Sequence, residues 1–211
     1  MHGLRSVSTG LPERCYCGGL KLLMDAVNLI LCGLGGQGIL FMTRIIAQAS
    51  LDKGHDVMGA ETHGMAQRGG SVVSHLKVGK AESSLVMVGS ARYIIALDED
   101  EGYRNLPFLS RGAEMFVNAD QGKPRTEEIE IFLGDYDVSY HAAPAWAIAR
   151  KFNAPMSSNL ALLGFFSAFV HKPVNNQELR KTIENISPDK FKDINLKVFD
   201  AGFEKGSKKA G

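Results

Sequence analysis

The chain of 211 residues has little of three features that would assign it to a class at once: cysteine, long apolar runs and charge of one sign. Its cysteines are Cys15, Cys17 and Cys32. They are too few for a disulfide framework or for an iron–sulfur cluster held by four thiolates. We therefore expect reduced thiols and a cytoplasmic protein.

The charge balance and the apolar runs exclude two kinds of partner. With 24 basic and 23 acidic residues, the formal net charge is +1 and the basic residues are scattered along the chain. This distribution offers no electrostatic footprint for nucleic acid. The longest apolar stretch, residues 160–170, is interrupted by Gly164 and Ser167 and is shorter than the roughly 18 to 20 residues that span a bilayer. We expect neither a nucleic-acid nor a membrane partner.

The chain divides into one domain and two short ends. Residues 1–24 lack the apolar run of a secretory signal and are expected to form a disordered extension, with Met24 as an alternative start of translation. Residues 25–204 are predicted to form a single domain, since a hydrophobic content of 45% suffices for one core. Residues 205–211 are rich in lysine and glycine and are expected to be a flexible tail.

The first third of the chain has the pattern of a βαβ unit. Residues 26–32 form a nearly continuous apolar run, which is typical of a strand buried on both faces of a parallel sheet. Residues 36–53 carry apolar side chains at helical spacing, and Gly54 follows as a stop signal. Residues 56–60 supply a second strand. This order predicts a right-handed crossover in a parallel sheet.

The rest of the chain continues with strands and then helices. An alternating pattern over residues 71–79 predicts a half-exposed antiparallel strand with His75 on its polar face. Further strands are predicted over residues 93–97, 114–118 and 129–133, and helices over residues 145–152, 159–170 and 175–186. Together these elements predict an α/β fold: a Rossmann-like, mostly parallel sheet flanked by helices, with some antiparallel strand and a helical C-terminal part.

A glycine-rich turn joins the first predicted strand to the first predicted helix. Its sequence at residues 33–38, GLGGQG, matches G-x-G-x-x-G in the context that a nucleotide-binding turn requires. Glycines there permit a tight turn and a close approach of backbone N–H groups to a phosphate. If the nucleotide is NAD, Glu61 is placed to hold the ribose hydroxyls. The alternative is that the glycines serve only the turn and helix packing.

A second polar segment follows the second predicted strand. Residues 61–72, ETHGMAQRGGSV, leave the carboxyl end of that strand beside the glycine turn, where open α/β sheets hold their ligands. Arg68 can clamp a carboxylate or phosphate with its forked donors, or instead form an ion pair with Glu61. His63 either faces a ligand or binds nearby backbone.

The two segments together closely resemble the gamma-type subunit of 2-oxoacid:ferredoxin oxidoreductases. The arginine followed by two glycines is shared widely in that family, and the form ETHGMAQR is nearest to the beta subunit of its indolepyruvate branch. The resemblance extends over residues 27–204. The candidate cofactor-binding residues are Gly33, Gly35, Gly36, Gln37, Gly38, Glu61, His63, Arg68, Gly69 and Gly70.

The resemblance implies the oxidative decarboxylation of an aryl-2-oxoacid such as indolepyruvate, with coenzyme A and ferredoxin. Such enzymes need thiamine diphosphate, magnesium and iron–sulfur clusters, yet this sequence has neither a Cys-x-x-Cys-x-x-Cys run nor a thiamine diphosphate signature. These groups are therefore expected on a larger catalytic partner subunit. No catalytic residue is therefore expected on this chain. No metal site is expected either, because no set of histidines and carboxylates has metal-ligand spacing.

The glycine turn and the Arg68 segment would then contact coenzyme A phosphates or brace the partner. The chain alone is expected to be inactive. Two alternatives remain open from the residues: a free-standing NAD-dependent oxidoreductase, and a Rossmann-like scaffold that binds no ligand.

Overall fold

The computed structural model describes residues 26–63 and 69–210, which fold around one mixed sheet. The expected extension at residues 1–24 lies outside the described residues. The strands are β1 (Val27–Leu34), β2 (Val57–His63), β3 (Ser71–Val78), β4 (Ala91–Ala96), β5 (Leu109–Asn118) and β6 (Ser139–Ala143). The helices are α1 (Ile39–Asp52), α2 (Glu99–Arg104), α3 (Glu127–Asp135), α4 (Ala145–Lys151), α5 (Ser158–Phe169), α6 (Asn176–Ile186) and α7 (Asp189–Ala210).

The strand order is β2-β3-β1-β4-β5-β6. The strands β1, β4, β5 and β6 run parallel to one another, whereas β3 pairs antiparallel with both β1 and β2. The predicted α/β fold with an antiparallel strand is therefore confirmed. The strands β1 and β2 run in the same direction, as the βαβ pattern predicts, but β3 is inserted between them.

The apolar run of β1 is buried on both faces of the sheet. Leu29 and Leu31 belong to the core under α1 and α5, while Ile30 and Cys32 belong to the core under α2 and α3. A strand covered by helices on both sides needs apolar residues at every position, which explains the absence of alternation. Burial raises the pKa of the Cys32 thiol, and the charges of Glu101 and Asp98 add to this effect.

The strand predicted over residues 129–133 is wrong, because that segment lies in α3. Three acidic residues in the first turn of α3 suit the positive end of a helix dipole. Leu133 is buried while Ile131 is 58% exposed, so the segment does not present the single apolar face of a strand. The next strand is instead β6, whose first three residues are polar or aromatic and give little strand signal.

The flexible tail predicted over residues 205–211 is also wrong as far as Ala210, because α7 continues to that residue. Gly206 is buried against α5, where a Cβ atom would lie 2.8 Å from the carbonyl oxygen of Phe165. Lys209 donates a hydrogen bond of 2.9 Å to the carbonyl oxygen of Ala142 in β6. Lysine and glycine thus mark a packed helix here. Neither α7, with its 22 residues, nor any other described helix is apolar enough over sufficient length to cross a membrane.

His75 lies inside the protein, although alternation along β3 places it on the surface. It is only 5% exposed, its ring packs edge-on against Phe108, and its Nδ1 atom accepts a hydrogen bond of 3.2 Å from the backbone N–H of Val86. Burial, together with the nearby charge of Lys77, lowers the pKa of His75. The segment between β3 and β4 covers the strand face that the sequence pattern assigns to solvent.

Candidate functional site

The glycine turn runs from the end of β1 into the start of α1, and its glycines have different roles. Gly33 is buried, and a Cβ atom there would lie 2.5 Å from Oε1 of Gln37. Gly38 is the N-cap of α1 with φ of 82°, and a Cβ atom there would lie 2.5 Å from Nδ2 of Asn159. These two positions need glycine for packing and conformation. For them, the alternative that the glycines serve only the turn and helix packing is sufficient.

Gly36 differs from these two glycines because it is exposed. Its φ is 99°, which disfavours any other residue, and none of the described residues places an atom within 4 Å of the position that a Cβ atom would take. Packing against the described part of the chain therefore does not require glycine here. The backbone at Gly36 can be approached closely from outside the protein.

Gln37 closes the turn from within. Its Oε1 atom accepts a hydrogen bond of 2.7 Å from the N–H of Leu34, and its own N–H donates to the carbonyl oxygen of Leu34 at 3.1 Å. The side-chain oxygen is thereby engaged by the chain itself. Gln37 holds the shape of the turn, so that the turn can present its backbone without rearrangement.

The two glycine segments meet through the backbone. The N–H of Gly35 donates to the carbonyl oxygen of Gly70 at 2.8 Å, and the N–H of Gly69 donates to the carbonyl oxygen of Gly35 at 3.4 Å. Gly69 is exposed, with φ of 74°, and no atom of the residues that the structure describes lies within 4 Å of its Cβ position. The glycines of both segments thus form one surface at the carboxyl end of β1.

Glu61 lies apart from this surface. It is exposed on β2 opposite Ser74, which in turn lies opposite Leu31 of β1. Two strand spacings, about 10 Å, therefore separate Glu61 from β1. In the dinucleotide-binding fold the acidic residue follows a strand that neighbours β1 directly. The insertion of β3 thus counts against a ribose contact. His63 ends β2, and Arg68 lies outside the described residues.

Glu101 supports the second segment. This role is not evident from the sequence, because a run of four acidic residues such as 98–101 is typical of a solvated surface. The side chain of Glu101 is 1% exposed, accepts a hydrogen bond of 2.6 Å from the hydroxyl of Ser71 and pairs with Arg104. The sequence signal that could have shown a helix here is the N-cap residue Asp98. Its side chain accepts a hydrogen bond of 3.1 Å from the N–H of Glu101 and starts α2. Ser71 follows Gly70 directly, so Glu101 anchors the place where the segment re-enters the sheet.

Asn159 is a second supporting residue that sequence reasoning assigned only to a helix start. Its side chain is 3% exposed, and its Nδ2 atom donates a hydrogen bond of 3.1 Å to the carbonyl oxygen of Gly38. Because 121 residues separate the two positions, no local pattern could reveal the contact. It joins α5 to the start of α1 and thereby fixes the end of the glycine turn.

The helix α1, which has 14 residues, begins directly after the glycine turn. The backbone N–H groups in the first turn of a helix have no partner within the helix, and such groups favour an anion. Four carboxyl groups at residues 98–101 lie nearby, but each has a partner within the protein: Asp98 caps α2, Glu99 and Asp100 pair with Arg125, and Glu101 binds Ser71 and Arg104. Among the described residues, no three His, Cys, Asp or Glu side chains are grouped for a metal ion.

A family model, a relative in sequence and solved structures were each compared with this chain, and they agree on its family or its fold. The family model for pyruvate ferredoxin/flavodoxin oxidoreductase matches residues 28–205. Indolepyruvate oxidoreductase subunit IorB of Archaeoglobus fulgidus is 31% identical over 188 residues, which cover 84% of this chain and 94% of that subunit.

Among solved structures, the gamma subunit of a keto/oxoacid ferredoxin oxidoreductase from Geobacter sulfurreducens has a TM-score of 0.69 at 22% identity, covering 86% of this chain and 99% of that one. A 2-oxoglutarate:ferredoxin oxidoreductase from Magnetococcus marinus, with 2-oxoglutarate, coenzyme A and succinyl-CoA bound, has a TM-score of 0.72 at 18% identity, covering 88% of this chain and 32% of that one. These two structures share the fold. With the family model and the IorB relative, the resemblance drawn from the two glycine segments is confirmed: the chain belongs to the pyruvate ferredoxin/flavodoxin oxidoreductase family.

Proposed function

We propose that this protein is the accessory subunit of an indolepyruvate, or more broadly aryl-2-oxoacid, ferredoxin oxidoreductase. The observation that carries the proposal is the match to IorB over 84% of this chain and 94% of that subunit. The partner is a larger catalytic subunit with thiamine diphosphate, magnesium and iron–sulfur clusters, and ferredoxin takes the electrons. The complex converts the 2-oxoacid and coenzyme A into an acyl-CoA and carbon dioxide in the cytoplasm.

The division of labour rests on what each chain can supply. Thiamine diphosphate provides carbanion stabilisation and clusters accept electrons, and this sequence has the signature of neither. What this chain offers at the carboxyl end of β1 is a rigid backbone surface braced by Gln37, Asn159 and Glu101. Such a surface can position a substrate group for chemistry performed on another subunit.

The substrate group that this surface fits best is the phosphate part of coenzyme A. The open backbone at Gly36 and Gly69 admits a close approach, and the start of α1 favours negative charge. The Magnetococcus marinus structure with the same fold contains coenzyme A. Arg68 is proposed as a further phosphate contact from its residue type and its place before Gly69 alone.

Purification of the native complex tests the proposal. A tag on this chain is expected to bring down a larger subunit, and the complex is expected to contain thiamine diphosphate and iron, to lack bound NAD and to prefer aryl-2-oxoacids over pyruvate. Recovery of a lone chain that binds NADH saturably and is active by itself would contradict the division of labour and favour the dehydrogenase alternative.

A further inference from the structure

Asn159 is a polar residue in the buried part of an apolar helix. The helix α5 is buried continuously from Asn159 to Ser167, and Asn159 itself is 3% exposed. A buried amide costs free energy unless it is hydrogen-bonded. The Oδ1 atom of Asn159 accepts a hydrogen bond of 2.9 Å from the N–H of Leu160, and Nδ2 donates one of 3.1 Å to the carbonyl oxygen of Gly38. Because one partner donates and the other accepts, a carboxylate cannot replace this amide.

The carbonyl oxygen of Gly38 has a partner without Asn159. It accepts the first hydrogen bond of α1, from the N–H of Met42 at 3.1 Å. The amide of Asn159 therefore adds a second donor to a carbonyl group that already has one. The approach also requires glycine at position 38, since a Cβ atom there would lie 2.5 Å from Nδ2 of Asn159. The contact thus adds something other than the completion of α1.

The second hydrogen bond acts on the first N–H group of α1. A trans peptide is planar, so the carbonyl of Gly38 and the N–H of Ile39 point in opposite directions. Ile39 is the first residue of α1, and its N–H has no acceptor within the helix. A hydrogen bond accepted by the carbonyl polarises the peptide unit and strengthens its N–H as a donor. Asn159 therefore fixes the direction of the Ile39 N–H and increases its partial positive charge.

The helix that carries Asn159 is held rigidly. At Gly164, α5 approaches α7 so closely that a Cβ atom would lie 2.0 Å from the carbonyl oxygen of Phe199. A group supported by a packed helix is held more precisely than one on a loop. We propose that Asn159 is a positioning residue for coenzyme A, which aims the Ile39 N–H at a phosphate bound by the glycine turn. This inference rests on the coenzyme A contact proposed above and adds a residue that sets its strength.

Substitutions at Asn159 test this role in the assembled complex of this chain with the larger subunit. Asn159→Ala removes the second hydrogen bond and is expected to raise KM for coenzyme A about three- to tenfold. Asn159→Asp keeps the shape but places a negative charge where the donor was, so an increase of about tenfold or more is expected. For both variants, kcat at saturating coenzyme A and KM for the 2-oxoacid should not change.

Pantetheine has the thiol of coenzyme A but no phosphate, and it separates positioning from a general loss of structure. If Asn159 acts through the phosphate contact, both variants lower kcat/KM with coenzyme A and leave kcat/KM with pantetheine unchanged. Equal losses with the two thiols would overturn the proposal, because a distorted complex loses activity with either.

Asn195→Asp is the matched control. Asn195 is 7% exposed, its Nδ2 atom donates to Oγ of Ser187 at 3.1 Å, and its Oδ1 atom accepts from the hydroxyl of Ser157 at 2.9 Å. Neither partner belongs to the glycine turn. The substitution is expected to lower the temperature of unfolding but not to change KM for coenzyme A. An increase in KM equal to that of Asn159→Asp would overturn the proposal.

The wild-type complex and Gly36→Ala show whether the coenzyme contact itself exists. If the wild type prefers coenzyme A to pantetheine and Gly36→Ala raises KM for coenzyme A, the contact is supported. An unchanged KM in both Asn159 variants then overturns the role of Asn159 alone. Equal kcat/KM of the wild type with the two thiols would overturn the contact and this inference together.

Discussion

Replacing Gly202 with alanine is expected to destabilise the protein strongly. Gly202 lies in α7 where that helix contacts α5, and a Cβ atom there would lie 2.0 Å from the carbonyl oxygen of Ala161. That oxygen is backbone and cannot rotate away, so the two helices must separate. We expect the free energy of unfolding to fall by about 3 kcal/mol or more, measured by chemical denaturation.

Gly134→Ala is the matched control. Gly134 also lies in a helix, α3, but its Cβ position has no atom of a described residue within 4 Å. Alanine there removes backbone freedom from the unfolded chain without a clash, and a gain of about 0.5 to 1 kcal/mol is expected. Equal effects of the two substitutions would show that α5 and α7 are not packed through Gly202.

Gly36→Ala is expected to impair the use of coenzyme A by the assembled complex. A side chain at Gly36 enters the open space through which a phosphate would approach the turn. Loss of one charge-assisted backbone hydrogen bond costs about 1.5 to 3 kcal/mol, which corresponds to an increase in KM for coenzyme A of about tenfold or more. KM for the 2-oxoacid should change little, because that pocket is expected on the partner subunit.

Gly54→Ala separates this effect from backbone strain. Gly54 follows α1 with φ of 84° and open space around its Cβ position, much as Gly36 has φ of 99°. Both variants should lose about 1 to 2 kcal/mol of stability through the same left-handed conformation. Only Gly36→Ala should raise KM for coenzyme A. If Gly54→Ala raises it equally, or if neither variant does, the turn does not contact the coenzyme.

Local signals explain which parts of the fold could be predicted. The run before Gly33, the glycine turn and the helical spacing after it all lie within residues 26–53, and they predict β1, α1 and their connection. The position of β3 between β1 and β2 is a long-range pairing, and no local pattern reveals it. The distance of Glu61 from β1 follows from that pairing, so the sequence alone left the NAD alternative open.

The predictions from sequence were wrong where one type of residue can have more than one structural role. Acidic residues at the start of α3 reflect the helix dipole, although the apolar residues among them suggest a strand. Lysine and glycine in residues 205–210 suggest a solvated tail, yet Gly206 packs on α5 and Lys209 binds β6. Likewise, Glu101 lies in an acidic run but is buried, because Ser71 and Arg104 satisfy its carboxylate. For Gly206, Lys209 and Glu101 the outcome depends on a partner that is distant in sequence.

The most direct test of the account is indolepyruvate-dependent and coenzyme A-dependent ferredoxin reduction, measured with this chain alone, with the larger subunit alone and with both together. We expect no reduction by this chain alone, weak or no reduction by the larger subunit, and full activity only when the two are combined. Full activity of either chain by itself, or a combined activity that does not depend on coenzyme A, would contradict the role of this protein as an accessory subunit.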